Sequence, residues 1–347
     1  MKVGIYESDL WTLPQYNKVY KEVLDYNNIP WESLTLDTFD FWEKVSNLDY
    51  FLFRFVNVDE HLQIAKTILP IIEKELRIQI FPNQKTCWHF DDKIKQYYLA
   101  KLNDIPFIEC FIFWDKRKAL EWANAAEYPT VFKLKGGAGS SNVLMLKDKE
   151  HAYRLIKKIF GRGIKHNKIP GFSTTKFHDL KSILRSWGYP IYAILKKKEY
   201  RLFWNKHKNY ALFQKFLPNN EFDTRVTVIG SYAYAFRRFV RKNDFRASGS
   251  GLIDYDVNQI DIRCIKIAFE TSRKMGFQSM AYDFLFNEKQ EPEICEMSYT
   301  YQDEALYGCM GIWDDKLNWI SGHFWPGYLQ LKSLLNKNDL KQPQISF

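Results

Sequence analysis

AYDFLF at residues 281–286 and EICEMS at residues 293–298, separated by NEKQEP, form the stretch that decides the fold. Two runs rich in Phe, Leu, Ile and Met flank a polar turn, which reads as a β-hairpin. A turn centred between Lys289 and Gln290 sets Asp283 opposite Glu296 and Ala281 opposite Ser298. Side chains facing each other across such a pair lie ~5 Å apart. Two carboxylates that close repel unless a cation neutralises them or one holds a proton. Asp, Glu and Ser oxygens suit Mg²⁺, particularly Mg²⁺ already carried by a phosphate chain. The competing reading is an exposed acidic pair, against which stands the apolar setting of both acids.

Working outward, TRVTVI–GS–YAYAFRRF at 224–239 reads as a second hairpin with a Gly-Ser turn. Its register makes Arg225 and Arg238 diagonal neighbours, and Arg246 follows in DFRASGSG. Converging arginines need an anion, and guanidinium suits phosphate or carboxylate. A solvated basic face is the alternative. Further upstream, YPTVFKLK (128–135) and VLMLK (143–147) read as strands joined by GGAGSSN (136–142). A glycine loop between two strands matches neither a P-loop nor a dinucleotide fingerprint. It is either a flexible hairpin tip or a backbone cover for an anion. Lys133, in the apolar strand before it, needs a partner.

The remaining chain sets bounds. Its 347 residues fit two or three packed units. Strand and helix patterns alternate over residues 1–84, implying a small α/β layer. Apolar residues at 46% allow a real core, and 17% aromatics predict that much of it is aromatic. A net charge of +9 is modest for this length and does not indicate a nucleic-acid partner. Five scattered cysteines form no zinc-type pair and fit a reducing cytoplasm. No window is apolar enough to predict a membrane span. Residues 161–210 are basic, with nine Lys or Arg against two acids over 176–208, interleaved with Trp187, Tyr189, Tyr192, Tyr200 and Trp204.

Taken in order, these pieces resemble the ATP-grasp superfamily, closest to the branch with glutathione synthetases and ribosomal-protein glutamate ligases. The resemblance covers roughly residues 85–300. DDKIKQYYLAKLNDIPFIEC (91–110) looks like the family's Asp-Lys helix and following strand, which makes Lys93 a nucleotide lysine. YPTVFKLKGGAGSSNV looks like the lysine strand and glycine loop over the triphosphate. It puts Lys133 on the α/β-phosphates, with Gly137, Ser140 and Ser141 toward the β- and γ-phosphates. ALFQKFLP (211–218) resembles the adenine hinge, at Gln214, Phe216 and Leu217, although Lys215 stands where a Glu is usual. Arg225, Arg238 and Arg246 take the places of the family's arginines. Asp283 and Glu296 take those of its magnesium ligands, and Ser298 stands where the third ligand is usually Asn.

The resemblance implies an α/β ATP-grasp fold in three parts: an N-terminal α/β pre-ATP-grasp domain (1–84), a central lid domain (85–210, with the basic insertion 161–210) and a C-terminal antiparallel-sheet domain (211–347). It implies ATP and Mg²⁺, and an ADP-forming ligase that joins a carboxylate to an amine through an acyl phosphate. A small-molecule kinase or an amino-acid (peptide) ligase would use the same constellation. The tail WDDKLNWISGHFWPG (313–327) is similar to ATP-grasp proteins found with surface-polysaccharide genes, which suggests a sugar-linked acid. Dimers are common in the superfamily, so a homodimer is compatible with this reading.

Overall fold

Strand–helix alternation near the N-terminus produces a parallel sheet. The computed structural model describes residues 1–8, 13–137, 142–165, 205–241 and 244–345. Strands β1 (Val3–Tyr6), β2 (Trp31–Leu34), β3 (Tyr50–Leu52) and β4 (Gln79–Phe81) lie in the order β2-β1-β3-β4, all parallel. All four residues of β1 are buried, as a central parallel strand requires. At the edge, β2 (WESL) buries Leu34 alone, which is why its sequence carries no strand signal.

The chain divides into two compact units. One comprises Met1–Asn57, His61–Glu109 and Leu217–Phe347; the other comprises Val58–Glu60 and Cys110–Phe216. The second unit holds an antiparallel sheet of β5 (Cys110–Phe113), β6 (Thr130–Lys133), β7 (Val143–Leu146) and β10 (Ala211–Lys215), in the order β5-β10-β6-β7. Between β7 and β10, the short strands β8 (Ile164–Lys165) and β9 (Lys206–His207) pair with each other. Helices Lys116–Ala125 and Lys149–Phe160 are started by Asp115 and Asp148, whose carboxylates accept from Lys118 N and His151 N. The core is aromatic as expected: Trp122 stacks on Phe213 at 4.3 Å, and Phe132 and Phe113 edge against the same ring.

The first unit also holds the two hairpins. Strands β11 (Phe222–Ile229), β12 (Tyr232–Phe239), β13 (Ile253–Asp254), β14 (Ser279–Phe286), β15 (Pro292–Ser298), β16 (Gly311–Asp314) and β17 (Trp319–Ser321) form an antiparallel sheet. Its order is β15-β14-β11-β12-β16-β17, with β13 on β12. Gly230 opens the β11–β12 turn at φ 56°, while Ser231 keeps a negative φ, the pattern of a type II′ turn. Helix Ile262–Met275, started by Asp261 and ended by Gly276 at φ 68°, backs this sheet. Ser272 and Tyr282 join their hydroxyls at 2.7 Å beneath it. Because side chains alternate along a strand, Tyr282 on the helix side leaves Asp283 for the opposite face.

Arg54, just after β3, ties the parallel sheet to the chain beyond β15. Its guanidinium lies 3.6 Å from the Tyr16 ring centroid and 4.6 Å from that of Tyr301, and pairs with Asp303 at 2.7 Å. The aromatic tail packs inward: Trp325, Tyr328, Leu329 and Leu331 are buried, and the Tyr234 hydroxyl donates to Phe324 O. The β16–β17 hairpin, set by cross-strand Trp313 and Trp319, divides the tail that follows residue 300.

Candidate active site

The β14–β15 hairpin sets Asp283 opposite Glu296 and Ala281 opposite Ser298, in the expected register. The turn that achieves this differs from the expected one. Phe286 faces Pro292, which centres the turn on Lys289, and a bulge after Asp283 absorbs Cys295 and restores the pairing at Glu296. Two errors of one position, in the turn and in the strand, therefore cancel at the acids.

Asp283 sits at the middle of a charge ladder. Arg225, its cross-strand neighbour on β11, donates Nε to Asp283 Oδ1 at 2.7 Å and Nη2 to Oδ2 at 2.8 Å. Arg238 on β12 places Nη2 2.7 Å from the same Oδ2. Arg238 also forms a two-pronged pair with Asp223, Nε to Oδ1 at 2.7 Å and the same Nη2 to Oδ2 at 2.6 Å. The sheet register explains the ladder. Asp223 faces Arg238, Arg225 faces Asp283, and Asp223 and Arg225 share a face of β11 two residues apart. Burial alone would raise the Asp283 carboxyl, but the Arg225 and Arg238 guanidiniums outweigh it and hold that carboxyl well below the usual carboxylate range. Burial raises Asp223 despite Arg238, with the Asp283 charge adding to the effect.

Glu296 belongs to a second pair. Asp92 caps helix Lys93–Leu102, accepting from Ile94 N at 3.2 Å and Lys95 N at 3.3 Å, so Lys93 is the first helical residue. Gln96, one turn on, donates to Met297 O at 2.8 Å and docks this helix against β15. The hairpin is held from its outer side too, where Ile108 N donates to Ile294 O and Ile294 N to Pro106 O. Between these anchors, Lys93 Nζ lies 3.1 Å from Glu296 Oε1. Burial works to lower the Lys93 amine, but the Glu296 and Asp91 carboxylates keep it above its ordinary value. The Lys93 side chain is 9% exposed and that of Glu296 30%, so solvent reaches the pair from the carboxylate side.

The first unit thus brings together five of the residues singled out from the sequence: Lys93, Arg225, Arg238, Asp283 and Glu296. Ser298 stands on the same strand, its Oγ donating to Thr300 O at 2.8 Å. Arg246 makes a separate pair with Asp244, Nη2 to Oδ2 at 2.7 Å. Leu217 is buried in this unit. In the second unit, Lys133 is buried at the end of β6, Gly137 takes φ 110°, and Gln214 is buried on β10 with Nε2 donating to Cys110 Sγ at 3.4 Å. Phe216 follows β10 in the same unit. Ser140 and Ser141 lie outside the described residues, as does 166–204, most of the basic insertion.

Two acids that matter here carried no role in the sequence reading, Asp223 and Asp244. Both sit two residues from an arginine already singled out, and that spacing was the available signal. With Asp283 they balance the three arginines: Arg225 meets Asp283, Arg238 meets Asp223 and Asp283, and Arg246 meets Asp244.

The donor set can be tested against a divalent cation. Among the described residues no group of three or more His, Cys, Asp or Glu could hold a metal. The ladder and the Lys93 pair set three carboxylates against three cations, so a bare ion adds uncompensated charge. Asp283 and Glu296 fit Mg²⁺ that arrives with its own anionic oxygens, because the added charge is then balanced by the phosphate chain.

No protein-family model matches the sequence, and no curated protein matches it. Solved structures do match. The N5-carboxyaminoimidazole ribonucleotide synthetase of Thermotoga maritima has a TM-score of 0.59 at 12% identity, covering 96% of this chain and 76% of its own. A RimK-domain ATP-grasp protein of Sphaerobacter thermophilus has a TM-score of 0.56 at 11% identity, covering 96% of this chain and all of its own. The D-alanine–D-alanine ligase of Bacillus anthracis, in complex with ATP, has a TM-score of 0.51 at 12% identity, covering 86% of each chain.

Proposed function

We propose that this chain, which has the ATP-grasp fold, is an ATP-dependent, ADP-forming ligase that joins a carboxylate to an amine. The observation that carries the reading is the Asp283–Glu296 cross-strand pair, with Arg225 and Arg238 on one carboxylate and Lys93 on the other. The names of the structural neighbours support it: a D-alanine–D-alanine ligase bound to ATP and a ribonucleotide synthetase share this fold.

In this reading Lys93 and Lys133 hold phosphate oxygens as point charges. Asp283 and Glu296 would hold Mg²⁺, which when bound supplies Lewis-acid neutralisation of the transferring phosphoryl group. Arg225, half released from Asp283, donates to the charge that spreads over that group. The substrate carboxylate attacks the γ-phosphorus, giving an acyl phosphate and ADP. The amine then attacks the acyl carbon, expels inorganic phosphate and loses a proton to solvent. The sugar-acid part of the reading rests on the tail's resemblance and on the basic stretch.

The five cysteines are free, which fits a reducing compartment. Among the described residues no helix is long and apolar enough to cross a membrane. The test is a matrix of carboxylates and amines, uronic and amino acids among them, read by ADP release. Release that requires both members of one pair supports the proposal. ADP release with an alcohol alone, yielding a phosphate ester, replaces it with a kinase.

A further inference from the structure

The Lys93–Glu296 pair and the Asp283 clamp bear on which form of the nucleotide the site accepts. Lys93 is nearly buried and held at 3.1 Å by a carboxylate. A phosphate oxygen that comes to Lys93 must displace Glu296, leaving its negative charge beside the incoming anion. If a divalent cation comes with the phosphate, Glu296 transfers to the cation and Lys93 to the phosphate. The number of opposite-charge contacts is then conserved. Asp283 leans the same way, since both its oxygens already accept from arginine and a cation would replace the contacts that Arg225 gives up in passing to phosphate.

We infer that Glu296 is a specificity-determining residue that selects metal-bound over metal-free nucleotide by occupying Lys93 until a divalent cation replaces Lys93 as its partner. This rests on the nucleotide reading above. It predicts that neither ligand binds well alone: the cation finds its carboxylates compensated, and the bare nucleotide finds its lysine occupied.

The experiment is calorimetric titration of ADP into the full chain, with Mg²⁺ or with EDTA, for the wild type and Glu296→Gln. The wild type is expected to bind ADP at least about tenfold more tightly with Mg²⁺, the scale of one charge-assisted hydrogen bond. Glu296→Gln keeps the shape of the side chain and releases Lys93. It is expected to bind ADP in EDTA about tenfold more tightly than the wild type does, with the Mg²⁺ advantage reduced to about twofold or less. A second measurement uses the wild type alone. The electron-paramagnetic-resonance signal of free Mn²⁺ should be unchanged by the protein without nucleotide and, with ADP present, should fall below the level that ADP alone gives.

Equal affinity of the wild type with and without Mg²⁺ overturns the inference. So does a Glu296→Gln variant that binds metal-free ADP no better than the wild type, or Mn²⁺ binding without nucleotide. Absence of any ADP binding by the wild type with Mg²⁺ overturns the nucleotide reading and this inference together.

Discussion

Asp283 and Glu296 stand opposite each other on β14 and β15, yet they answer to different cations, Asp283 to Arg225 and Arg238 and Glu296 to Lys93. Their burial differs as well: the Asp283 side chain is 6% exposed and that of Glu296 30%. The same chemical change should therefore have different consequences at the two positions.

Glu296→Gln should lower turnover about 100-fold, the scale of losing one charge-stabilising group at a transferring phosphoryl, while thermal stability stays close to wild type. Asp283→Asn should lose activity to the same degree and also lose about 3 kcal/mol of stability, since it strips a buried partner from two guanidiniums. Steady-state ADP release and denaturant unfolding on both variants separate these outcomes. A stable Asp283→Asn protein would show that the ladder is not a buried network. Ser298→Ala, whose hydroxyl is engaged with Thr300, should show a milder loss of turnover.

Lys133→Ala should weaken ADP–Mg²⁺ binding by at least about tenfold, as loss of a charge-assisted contact to phosphate implies. Lys93→Ala should weaken it less, because Glu296 is released at the same time and can meet the cation. Calorimetry on both variants checks this. Unchanged affinity in both would place the nucleotide elsewhere.

The strands of the β14–β15 hairpin, the lysine strand and the helix at Lys93 were legible, because each depends on local alternation or periodicity, whereas the Asp283–Glu296 register came out right only because an error in the turn and one in the strand cancelled. The internal counter-ions were not. Asp223 meets Arg238 only once β11 and β12 are zipped in register, and its first consequence is to satisfy an arginine that the sequence showed as seeking an external anion. The bulge at Cys295 was equally invisible, since a one-residue insertion leaves the apolar pattern on both sides intact. Strands β2 and β17 were missed because they lie at sheet edges, where a polar or aromatic exposed face carries no alternation.

Arg54 and Asp303 give a stability prediction away from the site. The Arg54 side chain is 0% exposed and that of Asp303 5%. Asp303→Ala leaves a guanidinium buried between two tyrosine rings, and should cost about 3–5 kcal/mol. Replacing both, Arg54→Met with Asp303→Ala, should cost less than the sum of the single changes, and a double-mutant cycle by urea unfolding measures the coupling. Additive costs would show that the pair contributes nothing as a pair.

His89 supplies a pH dependence. It is 1% exposed, neither ring nitrogen has a hydrogen-bond partner among the described residues, and burial, with Lys95 nearby, lowers its pKa to about 4. An unfolded chain protonates this ring near pH 6.5 while the native protein does not. Stability should therefore fall as pH drops from about 6.5 toward 4, by up to about 1.4 kcal/mol per pH unit for this one group. His89→Phe should flatten that part of the profile, measured by urea unfolding at pH 7 and pH 5. His61, whose pKa burial also lowers to about 4, should leave a residual slope of the same sign. An identical slope in wild type and His89→Phe would show that the ring is protonated in the native state.

The most direct test of the ligase reading is ³¹P nuclear magnetic resonance of ATP and Mg²⁺ with a panel of carboxylic acids, hydroxylamine standing in for the amine. With the right acid, ADP and inorganic phosphate are expected in equal amounts, together with an equal amount of hydroxamate, because hydroxylamine intercepts the acyl phosphate. Formation of AMP and pyrophosphate, or of ADP with a phosphate ester and no hydroxamate, would contradict the ligase reading.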